Sequence, residues 1–335
     1  MINISEEKIM ATWRNHNKPL VTIRCTTYNQ EKYIEKAIEG FLIQKTTFPF
    51  EIFIHDDAST DKTPSIIKQY QEKYPHIIRV IYEKENQYSK NDGSLRRILN
   101  ANCRGKYTAL CEGDDYWTSP NKLQKQISFM ESNANCSMTF HAVNYEENGL
   151  IIKNDRRYYK ECNANICDII EGGGFFCATV SLCVRTKDLF EMPKYRQIAL
   201  VGDYPLQVML ATKGIVHYFP QIMGVYRVSA LGSWSEGMQS SKNIEKYASN
   251  GIQWLTEFNK CTNYKFSDSV NDRIIDYRYF LYTITSKESM LKLVLDVLKL
   301  RKKRLYYILR IIKASIRKHM PIVFNVYHNF KGNLK

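Results

Sequence analysis

The first eighty residues alternate between short apolar runs and longer amphipathic segments. Val21 to Cys25 is rich in apolar and β-branched residues, which favours a strand, and Glu51 to His55 is a second such run. Between them, Glu31 to Ile43 carries apolar side chains at helical spacing, which predicts an amphipathic helix. A second helix is predicted from Thr63 to Tyr74, with Pro64 in its first turn, and a third strand at Ile77 to Tyr82. This order predicts a parallel sheet with right-handed crossovers.

The pattern becomes less regular farther along the chain. We expect a strand at Tyr107 to Cys111, a helix from Pro120 to Glu131 and a weaker strand at Cys136 to Asn144. The later elements that we expect are a strand at Thr179 to Val184, a helix at Asp203 to Thr212, and a hairpin of Ile215 to Phe219 with Ile222 to Val228. From about Ser240 onward the pattern is almost entirely helical. We therefore predict an α/β domain over residues 1–238, with a mixed, mainly parallel sheet flanked by helices, and a helical region over residues 239–335.

Composition adds expectations about the compartment. The chain has 335 residues and a hydrophobic content of 44%, which is normal for a globular protein with a proper core. Its nine cysteines are scattered without the spacing of a zinc site, so we expect them to be reduced, as in a cytoplasm. Met1 to Pro19 lacks the apolar core of a signal peptide, and the sequence has no apolar stretch long enough for a membrane span. These features favour a cytoplasmic protein.

The positive charge is concentrated near the C-terminus. The net charge is +14, and residues 290–335 contain twelve Lys and Arg against one acid, Asp296. Within residues 301–318, one helical face carries apolar residues and the other carries cations; the apolar residues are Leu305, Ile308, Leu309, Ile312 and Ile316, and the cations are Lys303, Arg310, Lys313 and Arg317. This pattern is typical of a helix in the interface of an anionic membrane. The alternative is a helix that packs on its own domain and leaves a solvated basic face. Nucleic acid is not an expected partner, since no recognised nucleic-acid-binding module accompanies the charge.

Two acidic clusters follow predicted strands. The first is residues 55–61, His-Asp-Asp-Ala-Ser-Thr-Asp, and the second is residues 112–117, Glu-Gly-Asp-Asp-Tyr-Trp. In open α/β sheets, ligands bind at the carboxyl ends of the strands, so these carboxylates are expected to face a ligand site. Because gathered carboxylates repel one another, a divalent metal that carries a phosphorylated ligand is the simplest way to neutralise them. Asp61 has a simpler interpretation, as a cap of the helix that starts near Thr63.

Several short motifs occur in a fixed order over about residues 20–236. They are Val21-Thr22-Ile23-Arg24-Cys25-Thr26-Thr27-Tyr28-Asn29, Ala37-Ile38, Gln44, Asp56-Asp57-Ala58-Ser59-Thr60-Asp61, Glu112-Gly113-Asp114-Asp115-Tyr116-Trp117, Pro120, Lys122-Leu123, Gln126, Gly202-Asp203 and Tyr226-Arg227. In this order and spacing they resemble glycosyltransferase family 2, enzymes with the GT-A fold that binds nucleotide sugars. The segment 56–61 is similar to the family's Asp-Asp-Gly-Ser-Thr-Asp, with Ala58 in place of the glycine.

The resemblance implies a donor site. Asp114 and Asp115 fit the family's metal-binding region, with either as the direct ligand of Mg²⁺ or Mn²⁺ and the other near the ribose. Glu112 stands where the family usually has aspartate, and its longer side chain keeps the charge but moves it farther from the backbone. The remaining residues implied to contact the nucleotide sugar are Thr26, Tyr28, Asp57, Arg227 and Trp234. Asp57 would contact the base, since a carboxylate can accept a hydrogen bond from the imino N–H of uracil. Arg227 would stabilise the leaving diphosphate, or instead pair with a surface acid. Trp234 would stack on a sugar or belong to the core.

The resemblance also implies the chemistry. Asp203 occupies the position where inverting members use an acid to deprotonate the acceptor hydroxyl, although it follows Gly202 where the family often has glutamate. The same aspartate is suited to cap the helix that it starts, and the two roles are compatible. Many relatives place a histidine at the position of Ser229, so a histidine metal ligand is not expected here.

The expected activity is therefore sugar transfer from a nucleoside diphosphate sugar to a hydroxyl. The acceptor would be a glycan or a lipid-linked oligosaccharide of a bacterial surface polysaccharide, such as capsule or O-antigen, and the enzyme would be peripheral on the inner face of the plasma membrane. The alternative is a non-catalytic relative that binds nucleotide sugars or glycans and is attached to the membrane by its basic tail.

Overall fold

The computed structural model describes residues 4–14, 18–228, 230, 240–284, 289–300 and 303–319, the last four of these by their backbone alone. The strands are β1 (Val21–Thr27), β2 (Phe50–Asp56), β3 (Ile78–Tyr82), β4 (Tyr107–Leu110), β5 (Tyr116–Trp117), β6 (Cys136–Glu147), β7 (Leu150–Asp155), β8 (Cys162–Asn163), β9 (Cys183–Arg185) and β10 (Ile215–Arg227).

The helices alternate with the strands at first and follow one another at the end. They are α1 (Glu6–Met10), α2 (Ile34–Leu42), α3 (Thr63–Lys73), α4 (Ser94–Ala101), α5 (Lys122–Ser132), α6 (Ile166–Gly172), α7 (Lys194–Gln197), α8 (Asp203–Lys213), α9 (Ser241–Cys261), α10 (Ser267–Ile284), α11 (Met290–Lys299) and α12 (Arg304–His319). Short 3-10 turns cover Thr179–Ser181 and Thr186–Phe190.

The strands form one mixed sheet in the order β3-β2-β1-β4-β9-β6-β10-β5, with β7 beside β6 and β8 beside β10. The neighbours from β3 to β4 are parallel, and β6 is parallel to β10. Antiparallel β9 lies between the two parallel parts. The predicted α/β fold with a mixed, mainly parallel sheet is confirmed.

The predicted hairpin at residues 215–228 is wrong. A single strand, β10, runs from Ile215 to Arg227 and pairs in parallel with β6. The register shifts between Phe219 and Ile222, where Pro220 and Gln221 lie. Proline cannot donate a backbone hydrogen bond and is tolerated in a sheet at such a bulge, so here it marks an irregularity and not a turn. The predicted strand at Thr179 to Val184 is only partly present, because its first half forms a 3-10 turn before β9.

Two compact units divide the chain. The first contains residues 1–169, 174–192 and 203–237, and the second contains residues 170–173, 193–202 and 238–335. The single boundary between residues 238 and 239 stays a prediction. Within the first unit, a large apolar core includes Ile23 of β1, Ile52 of β2 and Ala109 of β4, which are neighbours across the sheet and all fully buried.

The second unit has a smaller helical core. Leu293, Val297, Tyr307 and Ile311 are its central members, and Ile275 of α10 joins them. Within the described residues, none of the helices is both long and apolar enough to span a bilayer.

Candidate nucleotide-sugar site

The two acidic clusters lie at one edge of the sheet, as their positions in the sequence predict. In the parallel register Thr27 pairs with Asp56, and the Asp57 amide donates to the Thr27 carbonyl at 3.0 Å. On the other side of β1, the Gly113 amide donates to the Thr26 carbonyl at 2.9 Å. The end of β1 therefore holds both loops by backbone hydrogen bonds, so residues 57 and 113 flank the same strand end.

Gly113 is required by a close approach between loop and strand. A Cβ atom at this position would lie 2.4 Å from Gln30 Oε1 and 2.8 Å from Thr27 Oγ1. Thr27 and Gln30 are themselves joined by a hydrogen bond of 2.8 Å. No side chain fits there without displacing this pair, and the glycine therefore allows the acidic loop to lie against β1.

Asp114 and Asp115 are buried, with 7% and 1% of their surfaces exposed. Burial raises the pKa of both carboxyls, and the charge of Asp114 raises the pKa of Asp115 further. Asp115 Oδ1 accepts the backbone N–H of Arg227 at 2.8 Å, whereas its buried Oδ2 accepts a hydrogen bond from none of the described residues. Two buried carboxyls with one oxygen left over are poorly satisfied by the protein alone, which favours a cationic ligand at this place.

Glu112 is placed differently. Its side chain is open to solvent, yet desolvation by the surrounding protein raises the pKa of its carboxyl. The charges of Asp114 and Asp203 raise that pKa further. Arg24 on β1 acts in the opposite direction and lowers it. The influence of Asp203 places this residue, which starts α8, in the same electrostatic neighbourhood as the acidic loop.

Asp203 is half-buried at the first turn of α8. Its Oδ1 accepts the N–H of the next residue, Tyr204, at 2.7 Å. This contact differs from the N-cap bond that the sequence suggested, which would reach an N–H two or three residues farther along the helix. Burial raises the pKa of Asp203, and the backbone hydrogen bonds only partly offset this. The role of Asp203 as a general base stays a prediction.

Arg227 holds the acidic loop from within the protein. Only 8% of its surface is exposed. Its Nε donates to Glu146 Oε1 at 2.8 Å and its Nη1 donates to the Asp114 carbonyl. Glu146 Oε2 in turn accepts the Tyr116 hydroxyl at 2.7 Å. The guanidinium therefore pairs with a buried acid, and not with a surface acid as the alternative prediction had it.

Asp57 also binds backbone N–H groups of another loop with its carboxylate. Its Oδ1 accepts the N–H of Gln87 at 2.7 Å and its Oδ2 accepts the N–H of Tyr88 at 3.0 Å. Asp57 thus fixes the loop after β3 at the edge of the sheet. Partial burial, and then the charge of Glu112, raise the pKa of Tyr88, so this loop lies near the acidic cluster. A contact of Asp57 with a nucleotide base stays a prediction.

The turn after β1 completes this side of the site. Asn29 has a left-handed backbone, with φ of 51°, and its Oδ1 accepts the N–H of Thr60 at 2.8 Å. Tyr28 has 41% of its surface exposed, and Thr26 is half-buried on the last part of β1. Both predicted residues are therefore near the strand ends that carry the two acidic loops. Trp234 and Ser229 lie outside the described residues.

Three residues that contribute to the site were not predicted. Glu146 lies at the end of β6, Gln30 contacts Asp114 with its side chain, and the charge of Arg24 on β1 lowers the pKa of Glu112. Arg24 was detectable as a lone charge in an apolar strand. Glu146 and Gln30 gave no such signal, because each becomes part of the site through residues far away in the sequence.

The donor set fits a divalent metal only in combination with a ligand. Among the described residues, no group of three His, Cys, Asp or Glu side chains is arranged to hold a metal by itself. Mg²⁺ and similar ions are commonly bound by one or two carboxylates together with substrate phosphates. Asp114 and Asp115, with the unpartnered Oδ2, meet that requirement.

The chain is similar to several known proteins. The family model described as Glycosyl transferase family 2 matches residues 22–191. An uncharacterized protein of Mycobacterium tuberculosis is 33% identical over 237 residues, which are 69% of this chain and 65% of the relative. The chain thus spans less than two thirds of the length of that relative.

Two further proteins are similar over different extents. The Escherichia coli UDP-Glc:alpha-D-GlcNAc-diphosphoundecaprenol beta-1,3-glucosyltransferase WfaP is 36% identical over 113 residues, 34% of this chain and 42% of that protein. The crystal structure of S. aureus TarS 1-349 in complex with UDP-GlcNAc superposes with a TM-score of 0.57 at 16% identity, covering 89% of this chain and 80% of that one. At this identity the likeness is one of fold.

Proposed function

Because the chain belongs to glycosyltransferase family 2, we propose that it transfers a sugar from a nucleoside diphosphate sugar to a hydroxyl group with inversion at the anomeric carbon. The observation that carries this proposal is the grouping of Glu112, Asp114, Asp115 and Asp203 around the carboxyl end of β1. Carboxyls with raised pKa at the strand ends of an α/β sheet are expected where a cation-bridged diphosphate and a general base are needed.

The proposed donor is a UDP-sugar and the proposed acceptor belongs to surface polysaccharide synthesis. WfaP, by its name, uses UDP-glucose and a lipid-linked diphosphoundecaprenol acceptor, and TarS was crystallised with UDP-GlcNAc. By this analogy the acceptor here is a glycan or a lipid-linked oligosaccharide, and the enzyme works at the inner face of the plasma membrane. Residues 301–318 provide the predicted contact with that membrane.

In the proposed reaction, Asp203 accepts the proton of the acceptor hydroxyl. The acceptor oxygen attacks the anomeric carbon from the face opposite the nucleotide, and the bond from that carbon to the diphosphate oxygen breaks. The diphosphate leaves with the bonding electrons, and the anomeric configuration inverts. Asp114 and Asp115 would hold Mg²⁺ or Mn²⁺, which supplies positive charge for the diphosphate. Arg227 keeps both acids in place through its contacts with the Asp114 carbonyl and Asp115.

A binding and turnover experiment tests this proposal. The thermal midpoint is measured with UDP, GDP and their sugars, with and without Mn²⁺, and donor consumption is followed for wild type, Asp203→Asn and the exposed-loop control Asp92→Asn. We expect one nucleotide to stabilise the protein only with metal. Asp203→Asn is expected to keep that stabilisation and to lower turnover by about 10²–10⁴-fold, whereas Asp92→Asn is expected to match wild type.

Two outcomes contradict the proposal. If none of the nucleotides changes the midpoint, the acidic loop is not a donor site. If the nucleotide binds but turnover is absent in wild type, or unchanged in Asp203→Asn, the non-catalytic binding alternative is favoured.

A further inference from the structure

Helix α11 has apolar side chains on two opposite faces. Leu293 and Val297 are fully buried in the core of the second unit. Leu291, Leu295 and Leu298 are exposed to between 49% and 70% of their surfaces. Because each helical residue turns by about 100°, these three leucines form one stripe roughly opposite the buried pair. Packing within the second unit explains the apolar residues on the buried face of α11, but it does not explain those on the exposed face.

Helix α12 repeats the same arrangement. Tyr307 and Ile311 are buried, and the Tyr307 hydroxyl donates to the Asp272 carbonyl of α10 at 3.2 Å. Leu305, Leu309 and Ile312 form a second stripe, exposed to between 43% and 69%. The helix thus packs on its own unit and also presents an apolar face. Ile308, which the sequence placed on that face, packs against the core, and the side chain of Ile316 is outside the described residues.

The two helices pack against each other and both pack against α10. We name the six exposed residues, Leu291, Leu295, Leu298, Leu305, Leu309 and Ile312, the helix-pair surface. A water-exposed helix normally carries polar residues opposite its buried face. Two adjacent helices that both break this pattern indicate an apolar surface with an external partner.

The charges beside the surface identify the kind of partner. Lys292 and Lys299 flank the stripe of α11, and Lys313 flanks that of α12, all three exposed. Lys299 also pairs with Asp296 of its own helix at 2.9 Å, but 76% of its side chain stays exposed. Lys303 and Arg310 instead join their segment to another helix, since they pair with Asp272 and Asp276 of α10 at 3.2 Å each. A second copy of the chain would bring lysines against lysines, whereas an anionic lipid surface complements them. Apolar residues beside lysines are also the pattern of helices that lie in a membrane interface.

We propose that α11 and α12 together form a two-helix membrane-binding surface, whose six apolar side chains enter an anionic leaflet while the flanking lysines contact lipid headgroups. This extends the predicted contact from residues 301–318 to α11. The binding itself is independent of catalysis; only its purpose, bringing the site to a lipid-linked acceptor, rests on the proposed function.

Co-sedimentation of the full chain with vesicles tests the surface. Vesicles of phosphatidylcholine with phosphatidylglycerol are compared with phosphatidylcholine alone. The test variants are the triples L291S/L295S/L298S and L305S/L309S/I312S. The matched control is L150S/I151S/I152S in β7, whose residues are exposed to a similar extent, between 47% and 71%. We expect each test triple to lower binding to anionic vesicles at least tenfold and the control to remain within twofold of wild type.

The result that overturns the proposal is binding by both test triples that equals binding by wild type. A concentration-dependent dimer in sedimentation velocity that both triples abolish, without vesicle binding by wild type, also overturns it and assigns the surface to a second copy. If a triple fails to unfold cooperatively, K292Q/K299Q/K313Q replaces it, and unchanged binding by this variant counts against the proposal. Nucleotide stabilisation and donor consumption without vesicles are measured in parallel, so that a failure of the proposed function is recognised separately.

Discussion

At the residue scale, Ala58 in the turn of the first acidic loop has a backbone conformation that residues with a Cβ atom disfavour. Ala58 has φ of +66°, in the left-handed region. A residue with a Cβ atom pays about 1–2 kcal/mol there, whereas glycine does not. The related motif of glycosyltransferase family 2 has glycine at this position. Asp57, the preceding residue, holds Gln87 and Tyr88 with both carboxylate oxygens, so this loop is held in place although its backbone is strained.

Replacing Ala58 by glycine is expected to stabilise the protein. Relief of the left-handed strain exceeds the added entropy of the unfolded chain, and the net gain should be about 0.5–1 kcal/mol. Urea unfolding measures this difference. Ala101→Gly at the last residue of α4 is the control with the opposite expected sign, because Ala101 is helical. An Ala58→Gly variant that is less stable than wild type would mean that the turn needs the methyl group.

Asp203 leads to a prediction about pH. A general base works only when deprotonated, and burial raises the pKa of this carboxyl. Turnover should therefore be retained above that raised pKa and fall as the pH decreases through it, with a midpoint above the ordinary value of about 3.9. The measurement is kcat against pH under saturating donor. Glu112→Gln serves as the comparison, because Glu112 is the acid whose pKa Asp203 influences. A profile whose acid limb disappears in Glu112→Gln would assign the titration to Glu112 instead.

At the element scale, the sequence predicted the elements whose signal is local. β1, α3 and α8 begin at their predicted first residues, Val21, Thr63 and Asp203, because apolar spacing, a proline in the first turn and an acid in the first turn are visible in a short window. β10 was predicted as a hairpin, because Pro220 looks like a turn residue until the pairing with β6 is known. Register depends on a distant strand and is not encoded near the proline.

The same limit applies to the site. The loops of Asp57 and of residues 112–115 could be placed at one edge from strand order alone. The bracing of Arg227 by Glu146 could not, because it depends on the parallel pairing of β6 with β10. The amphipathic pattern of residues 301–318 predicted a helix correctly, but which of its faces is buried depends on α10 and α11.

Helix α5 contains a charge whose burial no local pattern indicates. Lys122 is fully buried, its Nζ donates to Gln126 Oε1 at 2.7 Å and lies 3.9 Å from the centroid of the Trp117 ring. Burial lowers the pKa of Lys122 to about 8. In the unfolded chain the pKa is ordinary, about 10.4. Between these values the unfolded state binds more protons than the folded state, so Lys122 contributes stability that increases as the pH rises.

We predict that the free energy of unfolding of wild type increases relative to that of Lys122→Met as the pH increases from 7.5 to 10. The free energy difference between the two should shift in favour of wild type by up to about 3 kcal/mol, since each pKa unit corresponds to about 1.4 kcal/mol. Urea unfolding at three pH values gives this difference. Lys125→Met, an exposed position of the same helix, should show a difference that does not change with pH. A constant difference for Lys122→Met as well would mean that Lys122 keeps its proton when buried.

At the scale of the whole molecule, charge is distributed unevenly. The chain carries +14, and residues 290–335 hold twelve of its 48 Lys and Arg against one acid. Attraction to an anionic membrane amounts to about 1 kcal/mol for each Lys or Arg near the surface and decreases within a Debye length. The apolar contribution of the helix-pair surface does not depend on salt in this way.

Binding to anionic vesicles should therefore fall at least tenfold as NaCl increases from 0.05 M to 0.5 M. The slope of log binding against log salt should be smaller for K292Q/K299Q/K313Q and unchanged for the β7 control triple. Co-sedimentation across the salt series measures it. Equal slopes for the lysine variant and wild type would show that these three lysines do not face the lipid.

The composition of the second compact unit has a practical consequence for dissecting the protein. Residues 170–173 and 193–202 belong to that unit, although the chain on both sides of each segment belongs to the first. No single break in the polypeptide separates the two units cleanly, and a fragment ending at residue 238 would retain both segments without the helices with which they are grouped. Gene fusions and deletion series that assume two consecutive, separable domains will therefore yield poorly soluble protein, and this defect will be mistaken for a loss of activity.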